Sequence, residues 1–200
     1  MNKMDKMIWV IDNPFDYYQV YQAFSKFELP KGAYLHRRGD AETDKTKLQI
    51  IPYVLVQTIS YEHSINGSFK VIVGTRTKSG GEKRLTGKKT LGIGGHLEPE
   101  DISNNSFMPG LKRELEEEIG LSLMKNKLKF SHIIYQPIND VSAVHIGAAY
   151  IATIDYNDFE ELAPKDSELV LDRIDFTTYH TKSLNIEEYE PWSLTFFSKV

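Results

Sequence analysis

Three glutamates, Glu114, Glu117 and Glu118, stand at i, i+3 and i+4 in the segment Pro109–Leu121. On a helix that spacing puts three carboxylates on one face. Leu111, Leu115 and Ile119 fall at i, i+4 and i+8 and form a separate apolar stripe that faces the core. Gly120 is placed to end the helix in left-handed backbone. Grouping like charges costs a bare helix roughly 0.2–0.5 kcal/mol per pair. The cost rises near the helix C-terminus, where the macrodipole prefers cations. Selection for stability alone disfavours such an arrangement. A hard divalent cation removes the penalty, because oxygen donors on one rigid face suit magnesium, or manganese in its place. The plainer alternative is a solvated acidic face.

The surrounding elements have to position those carboxylates. Asn13 as N-cap and Pro14 at the first helical position predict a helix, with Tyr17, Val20, Tyr21, Phe24 and Phe27 on one face. That stripe reads as a docking surface, or as an aromatic shelf for a base or a second subunit. Leu29-Pro30-Lys31-Gly32 ends the helix, and Gly39 to Lys47 reads as a solvated loop. Ile50 to Thr58 predicts a strand buried on both faces, and Phe69 to Thr77 its hairpin partner after a turn at Asn66-Gly67. Ser79 to Arg84 is a polar loop. Lys129 to Gln136 and Ala143 to Ile154 have strand character, Asp155 to Ser167 reads as an acidic loop, and Leu169 to Phe176 is short and β-like. Ile186 to Ser198 suits a closing helix. The order predicts an α/β fold with a mixed sheet: an N-terminal arm over 1–48 and a main domain over 49–200.

Composition narrows the function. A net charge of −4 and a pI near 5.9 lack the basic footprint of a long nucleic-acid binder and favour a small substrate. The chain has no cysteine, which excludes disulfides, thiolate metal sites and cysteine nucleophiles. That suits a reducing cytosol, and no stretch is apolar enough for a membrane span, so a cytoplasmic protein is expected.

Arg113-Glu114-Leu115-Glu116-Glu117-Glu118-Ile119-Gly120-Leu121 resembles, without a gap, the second half of the Nudix box, G-x5-E-x7-R-E-U-x-E-E-x-G-U. Leu91 to Leu97, with Gly94-Gly95, is similar to the strand and glycine turn before that box, and Gly95 is followed after five residues by Asp101. Two features depart from the pattern. Asp101 stands in place of Glu, and eleven residues rather than seven separate it from Arg113. The resemblance implies an α/β/α sandwich with the box helix packed on a mixed sheet. It implies a metal-dependent hydrolase that splits a diphosphate in a nucleoside-diphosphate-linked small molecule by attack of water at phosphorus. A hydrolase of a non-nucleotide diphosphate and a nucleotide sensor without turnover are the alternatives.

Within that resemblance Glu117 and Glu118 are magnesium ligands, and Glu114 is a third ligand or the base. Gly94 offers a backbone carbonyl to the ion, and Arg113 orients the glutamates by charge-assisted hydrogen bonds. Outside the box Glu160, Glu161 and above all Glu168 are candidate bases, and Arg76, Arg84 and Lys88 candidate phosphate contacts. His96 beside the box and His145 on a strand read as structural. The expected partner is the substrate alone, with neither membrane nor long nucleic acid. The aromatic arm either covers the site or builds a homodimer.

Overall fold

Strands arise where apolar runs can be buried and paired. In a computed structural model, described over residues 2–59, 69–78, 85–123, 127–165, 169–176 and 185–197, contacts group the chain into two compact units. One comprises 1–53, 94–114 and 130–150; the other comprises 54–93, 115–129 and 151–200.

In the first unit β1 (Met7–Asp12) pairs antiparallel with β2 (Tyr34–Arg37) and with the start of β3 (Lys47–Ile59). Val10 lies opposite Tyr34 on one side and Gln49 on the other. The helix predicted from Asn13 begins later: α1 spans Tyr17–Ser25, capped by Asp16, whose carboxylate accepts the Gln19 N–H at 3.0 Å. Asn13 is engaged elsewhere, its amide donating to Lys45 O at 3.2 Å and to Tyr135 Oη at 2.9 Å. Only part of the predicted stripe is a docking surface: Val20, Phe24 and Phe27 are buried, whereas Tyr17 and Tyr21 are exposed. Phe24 meets Phe107 edge-on at 5.9 Å, and Phe27, just past the helix, stacks on Tyr150 of β8 (His145–Thr153) at 4.8 Å. The loop expected over 39–47 is partly helical: α2 (Arg38–Ala41) buries Ala41 against Ile8 and Val10. A short apolar anchor there outweighs the polar composition.

In the second unit the end of β3 pairs antiparallel with β4 (Phe69–Arg76), and Val54 and Leu55 pair with β6 (Gly92–Ile93). β4 pairs with β5 (Lys89–Thr90) and, along its whole length, with β9 (Leu169–Phe176). β7 (Leu128–Ile134) and β8, each divided between the two units, pair with one another, and β8 also pairs with β3. The registered ladders are antiparallel and the Lys89–Tyr189 bridge is parallel, so the pairing is mixed. The acidic loop predicted after β8 contains a helix: Tyr156–Glu161 folds around buried Phe159. Arg173 of β9 closes its C-terminal end, donating to Glu160 O at 2.8 Å and Leu162 O at 2.6 Å. The predicted closing helix is divided into a 3-10 turn, Ile186–Glu188, and a helix Pro191–Phe197. Proline lacks an N–H and begins the second piece. The Asn66-Gly67 turn and the 79–84 loop fall outside the described residues.

Tyr150 is fully buried, and its hydroxyl donates to Phe24 O at 2.6 Å. Burial pushes the phenol well above its ordinary pKa, which keeps it a neutral donor. Tyr150→Phe should cost about 1 kcal/mol in urea unfolding, because the Phe24 carbonyl keeps the Phe27 N–H as a partner.

Candidate functional site

The box helix, α3, runs Met108–Ile119. Leu111, Leu115 and Ile119 are buried, whereas Lys112, Glu116 and Glu117 are exposed, as the periodicity requires. In the first unit the front of the helix is tied down by one guanidinium. Arg113 Nε donates to Asp101 Oδ1 at 2.8 Å and Nη2 to Asp101 Oδ2 at 2.7 Å, a two-pronged pair. The same Nη2 reaches His96 O at 3.2 Å and Glu114 Oε1 at 2.8 Å. Asp101, only 3% exposed, closes a 3-10 turn, Pro99–Asp101, where its carboxylate also accepts the Glu98 N–H at 2.8 Å.

Asp101 therefore meets Arg113 despite the longer intervening segment. Ser103 and Ser106 exchange backbone hydrogen bonds of 2.9 and 2.8 Å around Asn104 and Asn105, both in left-handed backbone. The resulting tight turn is stapled to α1's exit: the Leu29 N–H donates to Asn105 O, and the Phe107 N–H to Phe27 O, each at 3.0 Å. The extra residues leave as a closed excursion and return the chain to register.

Two glycines in the turn before α3 are required by close approach. A Cβ at Gly94 would lie 1.9 Å from Pro52 O, and one at Gly95 would lie 2.4–2.6 Å from the Glu114 carboxylate. Gly95 thus leaves the space that Glu114 fills, and Gly94 lets the turn cross the β3 backbone.

In the second unit the helix ends at Gly120, φ +71°. Its N–H donates to Glu116 O and the Leu121 N–H to Leu115 O, both at 3.1 Å, while Ala163 and Lys165 N–H groups take Ile119 O and Glu118 O. The Lys165 side chain packs over Gly120, 2.5 Å from where a Cβ would sit, and so brings a cation to the negative end of the helix. Glu117 is exposed and Glu118 half-buried.

The remaining candidates are scattered. Arg76 Nε is 2.8 Å from Glu190 Oε1, and Glu190 is buried, so Arg76 is engaged with a carboxylate in the protein itself. Lys88 Nζ bonds Glu187 O, and Glu160 lies 3.6 Å from Arg173 and 3.7 Å from Lys70. Arg84 and Glu168 lie outside the described residues. His96 Nε2 is 2.7 Å from Oε1 of buried Gln49, and its ring meets that of His145 edge-on at 5.5 Å. Burial, reinforced by Arg38, His145 and Lys3, pushes the His96 pKa well below its ordinary value. Sequence reading missed Gln49 and Glu42 beside these rings; a glutamine at the start of an apolar strand was the available signal. Among the described residues no helix is long and apolar enough to cross a membrane.

This architecture is the Nudix fold. The chain is similar over 97% of its length, and 97% of the other chain's, to Tm1382, a proposed Nudix hydrolase, with TM-score 0.62 and 21% identity. The NUDIX domain of Shewanella oneidensis NrtR, solved with ADP ribose, matches at TM-score 0.54 and 13% identity, over 76% of this chain and 85% of that one. In sequence the chain is 37% identical to protein YmaB of Bacillus subtilis over 116 residues, which is 56% of this chain and 52% of YmaB. The match thus spans about half the length of that relative. No protein-family model matches.

The depressed His96 pKa has a signed consequence. The folded ring stays neutral while the unfolded one takes up a proton below about pH 6.5. With chelator present, stability should therefore fall from about pH 6.5 downwards, by at most about 1.4 kcal/mol per pH unit from this group. Denaturant titrations of His96→Gln across about pH 7 to 5.5 should show a shallower slope.

Proposed function

We propose that this protein is a divalent-metal-dependent hydrolase that cleaves a diphosphate linkage in a nucleoside-diphosphate-linked small molecule, with water attacking phosphorus. The observation that carries the reading is the mooring of Glu114. Its carboxylate lies against the bare face of Gly95, gripped by an arginine that a buried aspartate holds in place. A carboxylate that only solvates a helix needs no such support.

The donor chemistry fits magnesium, with manganese as a substitute. Glu117 and Glu118 are the proposed principal ligands, Glu114 a third, and the Gly94 carbonyl a further oxygen; all are hard donors. When bound, the ion neutralises diphosphate charge and acidifies the attacking water. Arg113 fixes the direction of Glu114 and does not itself contact substrate. Glu114 is the proposed proton acceptor within the box, and Glu168 the alternative outside it. Arg84, in the loop before the glycine turn, and Arg76, which also pairs with Glu190, are the proposed phosphate contacts. The ADP ribose held by the NrtR domain of like fold supports a nucleoside-diphosphate substrate class.

A magnesium-dependent hydrolysis screen over ADP-ribose, nucleotide sugars, dinucleoside polyphosphates and nucleoside triphosphates tests this directly. Glu117→Gln and Glu118→Gln should each lower turnover by roughly 100-fold or more. Their melting temperatures should hold or rise slightly, because a repelling charge is removed. Full activity in both variants would overturn the ligand assignment. Tight magnesium-dependent binding with no product would replace hydrolysis with sensing.

A further inference from the structure

Glu42, His96 and His145 converge in the first unit, each offering one ligand atom, all within 4.8 Å of one another. They come from three separate places: the C-cap of α2, the residue after Gly95, and the first residue of β8. Each imidazole also has one nitrogen beside an oxygen acceptor. His145 Nδ1 is 2.6 Å from Val141 O, and His96 Nε2 is 2.7 Å from Gln49 Oε1. Donation from those nitrogens would place the proton of each neutral ring there and make the other nitrogen the ligand atom. That is how metal-binding histidines are fixed and oriented.

Gln49 adds a second observation. It is fully buried in β3, and its Nε2 has no hydrogen-bond partner. A buried amide with an unmade bond costs roughly 1–3 kcal/mol. An apolar residue would avoid that cost, but would leave the His96 ring without the acceptor that sets its tautomer.

We propose that Glu42, His96 and His145 form a site for a divalent transition metal of the zinc type. Two imidazole nitrogens and a carboxylate suit zinc, leaving a fourth position for water; they do not suit magnesium. The site uses none of the carboxylates of α3. Arg38 Nε lies 3.3 Å from Glu42 Oε1, so a metal takes Glu42 from an ion pair. Lys3 and Arg38 add positive charge near His96, against which the ligands must compete. Tetrahedral zinc holds its donors about 3.4 Å apart, so donors already within 4.8 Å of one another need only a small side-chain adjustment to close on an ion. Bound metal would pin the turn that follows Gly95, where the Glu114 carboxylate is seated.

The test is cobalt(II) titration of untagged, chelator-stripped protein, read by ligand-field absorption. One equivalent should bind with a four-coordinate spectrum, zinc should displace it, and a hundredfold excess of magnesium should not. Glu42→Ala, His96→Asn and His145→Asn should each weaken cobalt binding at least tenfold, while Glu117→Gln with Glu118→Gln leaves the spectrum intact. If the buried His145 variant fails to fold, Glu42→Ala at a partly exposed position decides. No ligand-field spectrum, or a spectrum indifferent to Glu42→Ala and His96→Asn, overturns the site. The readout needs no turnover, so its failure is distinct from failure of the proposed hydrolysis.

Discussion

A carboxylate meant to work must be held where its charge is unwelcome, and here the holding is done by Asp101 through Arg113. The fork between them is buried at the aspartate end, and one of its prongs, Nη2, also reaches the His96 carbonyl and Glu114. Losing Asp101 would leave Arg113 with less to hold, and the glycine turn and Glu114 would lose their common tether. The 3-10 turn, the closed excursion over 102–107 and the missing side chain at Gly95 all serve to bring these groups together. Such pairs repay their desolvation only when the geometry is good and the remaining lone pairs are satisfied. The Glu98 N–H on Asp101 meets that condition.

The other end of α3 is supported differently. Its carbonyls are taken by N–H groups of residues 120, 121, 163 and 165, and Lys165 lies over Gly120. This lowers the electrostatic cost of Glu117 and Glu118, so the helix is tolerable without an ion while still leaving Glu117 in solvent. The crowding of charge on α3 is thus offset within the protein itself, whereas the seat of Glu114 is built around a single carboxylate.

What could be read in the sequence was periodic. The α3 stripe and the buried β3 and β4 runs declare themselves because burial imposes a pattern over many residues. The α2 turn escaped because one alanine anchors it, and β1 because its two neighbours, not its own length, make it a strand. The start of α1 was misplaced by an Asn-Pro pair that mimics a cap, when Asp16 supplies the real one. The box glutamates were legible as a spacing. Asp101's role was not, because whether a longer loop returns in register depends on Leu29 and Phe27, some 75 residues upstream. The pairing of Arg76 could not be read for the same reason: Glu190, its partner, is 114 residues away in sequence.

On the proposed function, Asp101 acts on turnover through Arg113 and Glu114. A double-mutant cycle on magnesium-supported turnover, with Asp101→Asn and Glu114→Gln alone and together, tests it most directly. Asp101→Asn should lower kcat at least tenfold in the wild-type background and have little further effect once Glu114 is glutamine. Losses that simply multiply in the double variant, with all four proteins folded, would contradict the account.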